Sequence, residues 1–431
     1  MDLTIERVLA WEALDSRGVP TVACAIALEE GATGQATVPS GASVGSHEAH
    51  ERRDGGERFG GKGVRDAVAA VNGEIADALR GRSAADQAAL DYVLRELDGT
   101  PALERLGANA VLAASVACAL ARADALRRPL WRVLAPQEPP LLPMPMVNVV
   151  SGGAHAGRLI DIQDVLVVPV GATSFGQAIE WAARVRAGTA EALRRQGHRV
   201  DLVADEGGLA ANLGSNRAAL EIVSAGIERS GLLPGEHAAI AVDVAATQLA
   251  DRGAYRLASE HRSLTAAKLV SELCAWCRDF PIVSIEDPLG EDDLEGWRIA
   301  SERLGDRQLV GDDLFVTSAE RLADGVEKGI ANAVLVKPNQ VGTLSDALRV
   351  VEGARAAGYA TVLSARSGET EDAWLADLAV GWRTGQLKIG STTRSERTAK
   401  WNRLLRIEAE HPDAMFAGRD ALAPLARAPS T

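Results

Sequence analysis

The chain has 431 residues, 47% of them apolar, with 59 acidic against 46 basic side chains and a net charge of −13. That length holds two or three domains, or one barrel-sized domain with an addition, and the apolar share supplies a large core. The acidic balance excludes non-specific nucleic-acid binding, which needs a basic surface, yet a site can be locally basic and take an anion.

The opening Met1-Asp2-Leu3-Thr4-Ile5-Glu6 lacks the basic and apolar regions of a signal peptide, and no uninterrupted apolar run reaches about 18 residues, so a cytoplasmic chain with no membrane partner is expected. Residues 1 to about 30 read as strands, around Leu3, Ile5 and Val8 and then over Thr21–Leu28, joined by a turn at Asp15–Pro20. Val38–Glu48 is a loop rich in Gly and Ser, whose backbone N–H groups suit a phosphate or lid role. From Val64 to Leu134 the pattern is helical, broken near Asp98-Gly99-Thr100-Pro101. The passage from Pro136 to Pro145, with five prolines, reads as an inter-domain connection.

Beyond it, short apolar runs alternate with helical segments: Asp164–Val170, Ala238–Ala245, Ile282–Asp287, Gln308–Asp313, Ala333–Pro338, Ala360–Ala365 and Gln386–Gly390. Such alternation predicts a parallel sheet, and with seven or eight units a closed α/β barrel. Four cysteines are too few for a disulfide framework, and Cys274 and Cys277, though at redox spacing, fall in mid-helix.

Most runs deliver an ionisable or polar group near their ends: Gln163 and Asp164, Glu206, Asp243, Glu286, Asp312, Lys337, Arg366 and Lys388. Strand ends converge on one face of a barrel, where barrel active sites are built. Asp243, Glu286 and Asp312 form a hard oxygen set of the kind Mg²⁺ takes. Only six of the 46 basic residues are lysines, yet two of them, Lys337 and Lys388, end buried runs. Arginine keeps its proton near neutral pH whereas a desolvated lysine can lose it, which points to Lys337 as a general base. A snorkelling lysine and salt-bridged strand ends are the plain alternatives. The chemistry that fits the whole set is proton abstraction beside a carboxylate, with metal and Lys388 stabilising the dianion.

At this point the chain resembles the enolase family nearly end to end. The matching stretches are Asp15-Ser16-Arg17-Gly18, Pro39-Ser40-Gly41-Ala42-Ser43, Gly152-Gly153-Ala154-His155-Ala156, Asp205-Glu206-Gly207-Gly208, Ser284-Ile285-Glu286-Asp287-Pro288, Gly311-Asp312-Asp313-Leu314, Lys337-Pro338-Asn339-Gln340, Arg366-Ser367-Gly368-Glu369-Thr370 and Gln386-Leu387-Lys388. The resemblance implies an α/β fold in which an N-terminal α+β capping domain (1–135) carries a substrate loop beside a modified TIM-like barrel (143–431). It implies two Mg²⁺ per active site, a small anionic phosphorylated substrate and a homo-oligomer, dimer or octamer. Lys337 matches the base, Glu206 the acid at the 3-hydroxyl, with Asp164 and His155 beside it. Asp243, Glu286 and Asp312 match the first metal's ligands and Ser43 a ligand of the second. Arg366 and Ser367 match the phosphate site, Lys388 the carboxylate contact, and Gln163, Gly41 and Ala42 further substrate contacts.

The departures cluster at the rim. Asp164 stands where the family has Glu, withdrawing the carboxylate by roughly 1–1.5 Å, a shift that can cost ~10²-fold in rate. Ala365 replaces a histidine, Val44 a threonine, Ser151 an asparagine and Val19 another asparagine. An intact base and metal set beside an altered, opened rim leads to the expectation of a carboxyphosphonoenolpyruvate synthase. Such an enzyme joins a phosphonoformyl group from a CMP-linked co-substrate to an enolpyruvate unit. The alternatives are a phosphopyruvate hydratase and a non-catalytic enolase-like binding protein; retention of Lys337, Lys388 and three carboxylates counts against the last.

Overall fold

The computed structural model, which describes residues 3–42 and 45–423, begins with a three-stranded antiparallel sheet: β1 (Ile5–Leu14), β2 (Pro20–Leu28) and β3 (Thr33–Thr37). The β1–β2 turn closes because the Asp15 carboxylate accepts the N–H groups of Arg17 at 2.8 Å and Val19 at 3.0 Å. β3 was absent from the sequence expectation: it is short and carries Gly34, a weak strand signal. That glycine is required, since a Cβ there would lie 2.1 Å from the Ala121 nitrogen of the helix packed on the sheet. Helix α1 (Gln87–Asp98) ends at the expected break, and α2 (Ala108–Ala125) follows. By length and composition α2 could cross a membrane, but it is mostly buried as the core of this sheet-and-helix unit.

Eight strands then close into a barrel: β4 (Met144–Ser151), β5 (Asp164–Val168), β6 (Ala239–Asp243), β7 (Ile282–Glu286), β8 (Gln308–Gly311), β9 (Ala333–Val336), β10 (Ala360–Ser364) and β11 (Gly385–Gly390). Two sequence expectations need correcting. The sheet is not wholly parallel: β5 runs antiparallel to both β4 and β6. The proline-rich passage is not connection throughout, because its last residues, Met144 and Pro145, begin β4. Buried apolar runs carry no mark of strand direction, and prolines at the start of a strand mask it.

Helices α3 (Phe175–Arg195) and α4 (Asn216–Arg229) bridge β5 and β6. One helix then precedes each later strand: α5 (Ala266–Asp279), α6 (Leu294–Leu304), α7 (Ala319–Lys328), α8 (Leu344–Ala357) and α9 (Trp374–Gly381). Helix α10 (Ser395–Glu410) follows β11. Ser174, Ser215, Thr265, Ser318 and Thr343 cap their helices by accepting a first-turn N–H, which fixes where those five barrel helices start.

Strand parity explains the site. Met144, Met146, Leu166, Val168, Ala239, Ala241, Val310, Ala333, Leu335 and Val362 form one buried cluster filling the barrel lumen. Side chains alternate along a strand. Continuing the inward parity therefore puts Asn148, Asp164, Asp243, Asp312, Lys337 and Arg366 inside the mouth. Glu286 and Lys388 continue the inward positions of Ser284 and Gln386, which meet through Gln308 low in the barrel. A one-residue slip in any strand would turn its chemical group into the helix layer.

Candidate active site

At the mouth the buried Lys388, the half-buried Lys337 and three buried carboxylates pair up. Lys388 Nζ lies 2.7 Å from Asp243 Oδ2 and 2.7 Å from Glu286 Oε2, and Lys337 Nζ pairs with Asp312 Oδ2. Gln163 Nε2 donates to Asp243 Oδ2 at 3.2 Å, and Gln340 Nε2 to Asp312 Oδ1 at 3.1 Å. Asp164 opens β5, but because that strand is reversed its first residue sits at the same mouth as the last residues of the others. Glu206 ends no strand; it lies in the long connection between α3 and α4.

Electrostatics follow from this packing. Burial drives the Lys388 pKa down, but Asp243 and Glu286 outweigh it, so the ammonium stays charged well above its ordinary range. Burial also pulls on Lys337, and the Asp312 carboxylate again wins, raising its pKa. Lys337 is therefore not the neutral amine the sequence reading assumed; in this state it is an ammonium held by Asp312. Glu286 is raised well above the carboxylate range by burial and the neighbouring Asp243. In Asp312 the pull of burial is overcome by Lys337, and its pKa is lowered.

The donor set suits a hard divalent cation in kind, all carboxylate oxygen. Two of the three carboxylates already converge on one cation-sized point, taken here by the Lys388 ammonium. The three do not yet share a single point, because their oxygens are divided between two lysines. Among the described residues, the groups whose donor atoms lie within 4.8 Å of one another are Asp287–Asp312–Asp313 and His155–Asp164–Glu206. In the first, Asp287 is committed to the backbone: it accepts the N–H groups of Asp312 at 2.9 Å and Asp313 at 2.8 Å, bracing the end of β8.

The substrate-loop residues reach the same mouth. Ser40 and Gly368 exchange backbone hydrogen bonds at 2.9 and 3.0 Å, and the Ala42 N–H donates to Ser367 Oγ at 2.7 Å. Gly41 lies between these two ties. Arg366 donates to Glu48 Oε2 and to Asn339 Oδ1, both at 2.9 Å. Ser43 and Val44 lie outside the described residues. Ala365 is buried, and its N–H donates to the Lys388 carbonyl at 2.9 Å.

Glu206 is buried, 4.0 Å from His155 Nε2. Burial raises its pKa, but His155 and Arg397 more than offset that and hold it low. Gly208, two residues on, is pressed against β4: a Cβ there would meet Asn148 Oδ1 and Ser151 Oγ at 2.4 Å each.

Sequence reasoning missed Arg397. Its fully buried guanidinium donates to the carbonyls of Arg366 at 2.7 Å, Ile389 at 3.0 Å and Asp205 at 3.4 Å, and to that of Ser367. One side chain on α10 thus ties together the loop of Glu206, the loop of Arg366 and Ser367, and the end of β11. Arg394, Arg397 and Lys400, three apart on one helix face, were the available signal. Glu48 was also missed as the partner of Arg366.

Residues 5–134 match the family model for the enolase N-terminal domain, and residues 139–425 that for the enolase C-terminal TIM barrel domain. A curated protein named Enolase, from Sulfurimonas denitrificans (strain ATCC 33889 / DSM 1251), is 49% identical over 407 residues, covering 94% of this chain and 96% of its own length. This near end-to-end likeness to an enolase overturns the expectation of a carboxyphosphonoenolpyruvate synthase. The altered rim had suggested room for a second substrate, but Asp164 and Ala365 are buried in the barrel wall and mark no opening. The chain belongs to the enolase family and is an enzyme of the enolase superfamily.

Proposed function

We propose that the protein is a phosphopyruvate hydratase, interconverting 2-phosphoglycerate with phosphoenolpyruvate and water. The observation that carries this reading is the convergence of Lys337 and Lys388 on Asp243, Glu286 and Asp312 at the barrel mouth, with Arg366 and Ser367 beside them. Mg²⁺, two ions per active site, would be held by Asp243, Glu286 and Asp312 and by Ser43. It supplies positive charge to the substrate carboxylate as the dianion develops.

The residues divide the remaining work. Arg366 and Ser367 orient the phosphate, with Gly41 and Ala42 carrying the loop against Ser367. Lys388 and Gln163 face the carboxylate end, and Lys337 Nζ, once it has given up the proton that Asp312 holds on it in this state, is the amine placed to take the C2 proton. The Glu206–His155 pair assists departure of the 3-hydroxyl: the pair carries a proton, held on His155 in this state, and places it at that oxygen. Within this reading residues 1–135 act as the cap that brings the loop, 143–431 as the barrel, and the assembly is a dimer or octamer in the cytoplasm.

The test is conversion of 2-phosphoglycerate followed by the ultraviolet absorbance of the enol product. Mg²⁺-dependent turnover on the order of 1–10³ s⁻¹ is expected, abolished by a chelator. No product from 2-phosphoglycerate with Mg²⁺ present would overturn the reading.

A further inference from the structure

Asp164 has no exposed surface, and both of its oxygens are taken. Oδ1 accepts from Asn148 Nδ2 and from Ser151 Oγ at 2.8 Å, while Oδ2 lies 3.0 Å from His155 Nδ1. Although it sits at the mouth, this carboxylate is closed to solvent and engaged by protein donors on both oxygens. What it holds is an imidazole. His155 is 8% exposed, on the one-turn helix Gly153–Ala156, with its other nitrogen turned to Glu206 Oε1 at 4.0 Å.

We propose that Asp164 is a positioning residue rather than an acid–base group. With Ser151 and Asn148 it fixes the His155 ring so that Nε2–H is presented to the leaving hydroxyl beside Glu206. A carboxylate on Nδ1 defines which nitrogen faces outward and favours the ring carrying protons on both. Ser151 belongs to the same unit. Its small hydroxyl donates to Asp164 Oδ1 while accepting from Asn148 Nδ2 at 2.9 Å, leaving room for a carboxylate on a short stem drawn back toward β4. The shorter acid at 164 and the smaller residue at 151 are thus one coupled change. The charged groups facing His155 are Asp164 from β5, Glu206 from the α3–α4 connection and Asp243 from β6; Lys388 from β11 faces Asp164.

This inference rests on the hydratase reading for the hydroxyl, but its test does not need turnover. Nitrogen NMR of the imidazoles, assigned with a His155→Gln control, reports the state of each His155 nitrogen at one pH in the wild-type enzyme. The expected spectrum shows Nδ1 protonated and strongly hydrogen-bonded, altered in both Asp164→Asn and Ser151→Ala. Turnover should fall on the order of 10²-fold in Asp164→Asn with KM changed less than threefold. Lengthening the acid alone, Asp164→Glu, overfills the buried site and should also lower kcat, with the double variant Ser151→Asn/Asp164→Glu recovering it. An unprotonated Nδ1 in the folded wild type would overturn the proposal. So would an imidazole spectrum indifferent to Asp164→Asn, or an Asp164→Glu variant at least as fast as wild type.

Discussion

Glu48 and Arg366 form a buried pair at 2.9 Å, with side chains 5% and 4% exposed. The guanidinium assigned to the substrate phosphate is therefore already engaged by a carboxylate from the substrate loop, and the same Glu48 accepts the Gly45 N–H at 2.9 Å. Removing one partner of a buried pair costs on the order of 3 kcal/mol, because the remaining charge keeps its desolvation penalty. Glu48→Gln should lower the thermal midpoint of the ligand-free protein. Inorganic phosphate should restore more of it than in wild type, since a ligand that binds only the folded state stabilises it. Thermal unfolding with and without phosphate checks this.

Lys388 bridges Asp243 and Glu286 and offsets their mutual repulsion. Lys388→Met leaves two buried carboxylates facing one another, so the variant should be destabilised in chelator and show a larger Mg²⁺-induced rise in midpoint than wild type. Its turnover should fall by at least 10²-fold. An unchanged Mg²⁺ response would show that these two carboxylates do not share a cation.

The pH dependence of stability should carry the signature of His155. Burial lowers its pKa, but Asp164 and Glu206 together raise it to about 9. A group raised on folding stabilises fully below its unfolded value, and that contribution fades as pH climbs through the folded value. His155 therefore adds on the order of 2–4 kcal/mol below about pH 6.5 that is lost by about pH 9. Urea unfolding of wild type and His155→Gln across this window should show curves that converge as pH rises.

Much of the site was legible because barrel geometry turns a residue's place on a strand into a place at the mouth. Lys337 one residue past β9 and Asp243 at the end of β6 needed only the period-two rule and the end of an apolar run. Asp164 needed more: it begins its strand, and only the reversal of β5 brings it to the mouth. Apolar patterning is blind to that direction. Glu48 and Arg397 were hidden for a different reason, since one sits in a loop and the other on a helix face with the composition of a solvated surface.

Arg397 offers a distinct test. Arg397→Lys keeps the charge but cannot hold four carbonyls on three segments at once. It should fold with a lower midpoint and lose about 10²-fold in kcat, as expected when the acid and phosphate loops shift by a fraction of an ångström. Steady-state kinetics and thermal unfolding together separate the two effects.

The most direct measurement is exchange of the C2 proton of 2-phosphoglycerate with deuterium in heavy water containing Mg²⁺, followed by NMR. Wild type and Glu206→Gln should both exchange, because abstraction precedes loss of the hydroxyl, while Lys337→Ala should exchange at least 10³-fold more slowly, the order expected for loss of a positioned base. Exchange in Lys337→Ala at the wild-type rate would contradict the assignment of the amine at the end of β9 as the base.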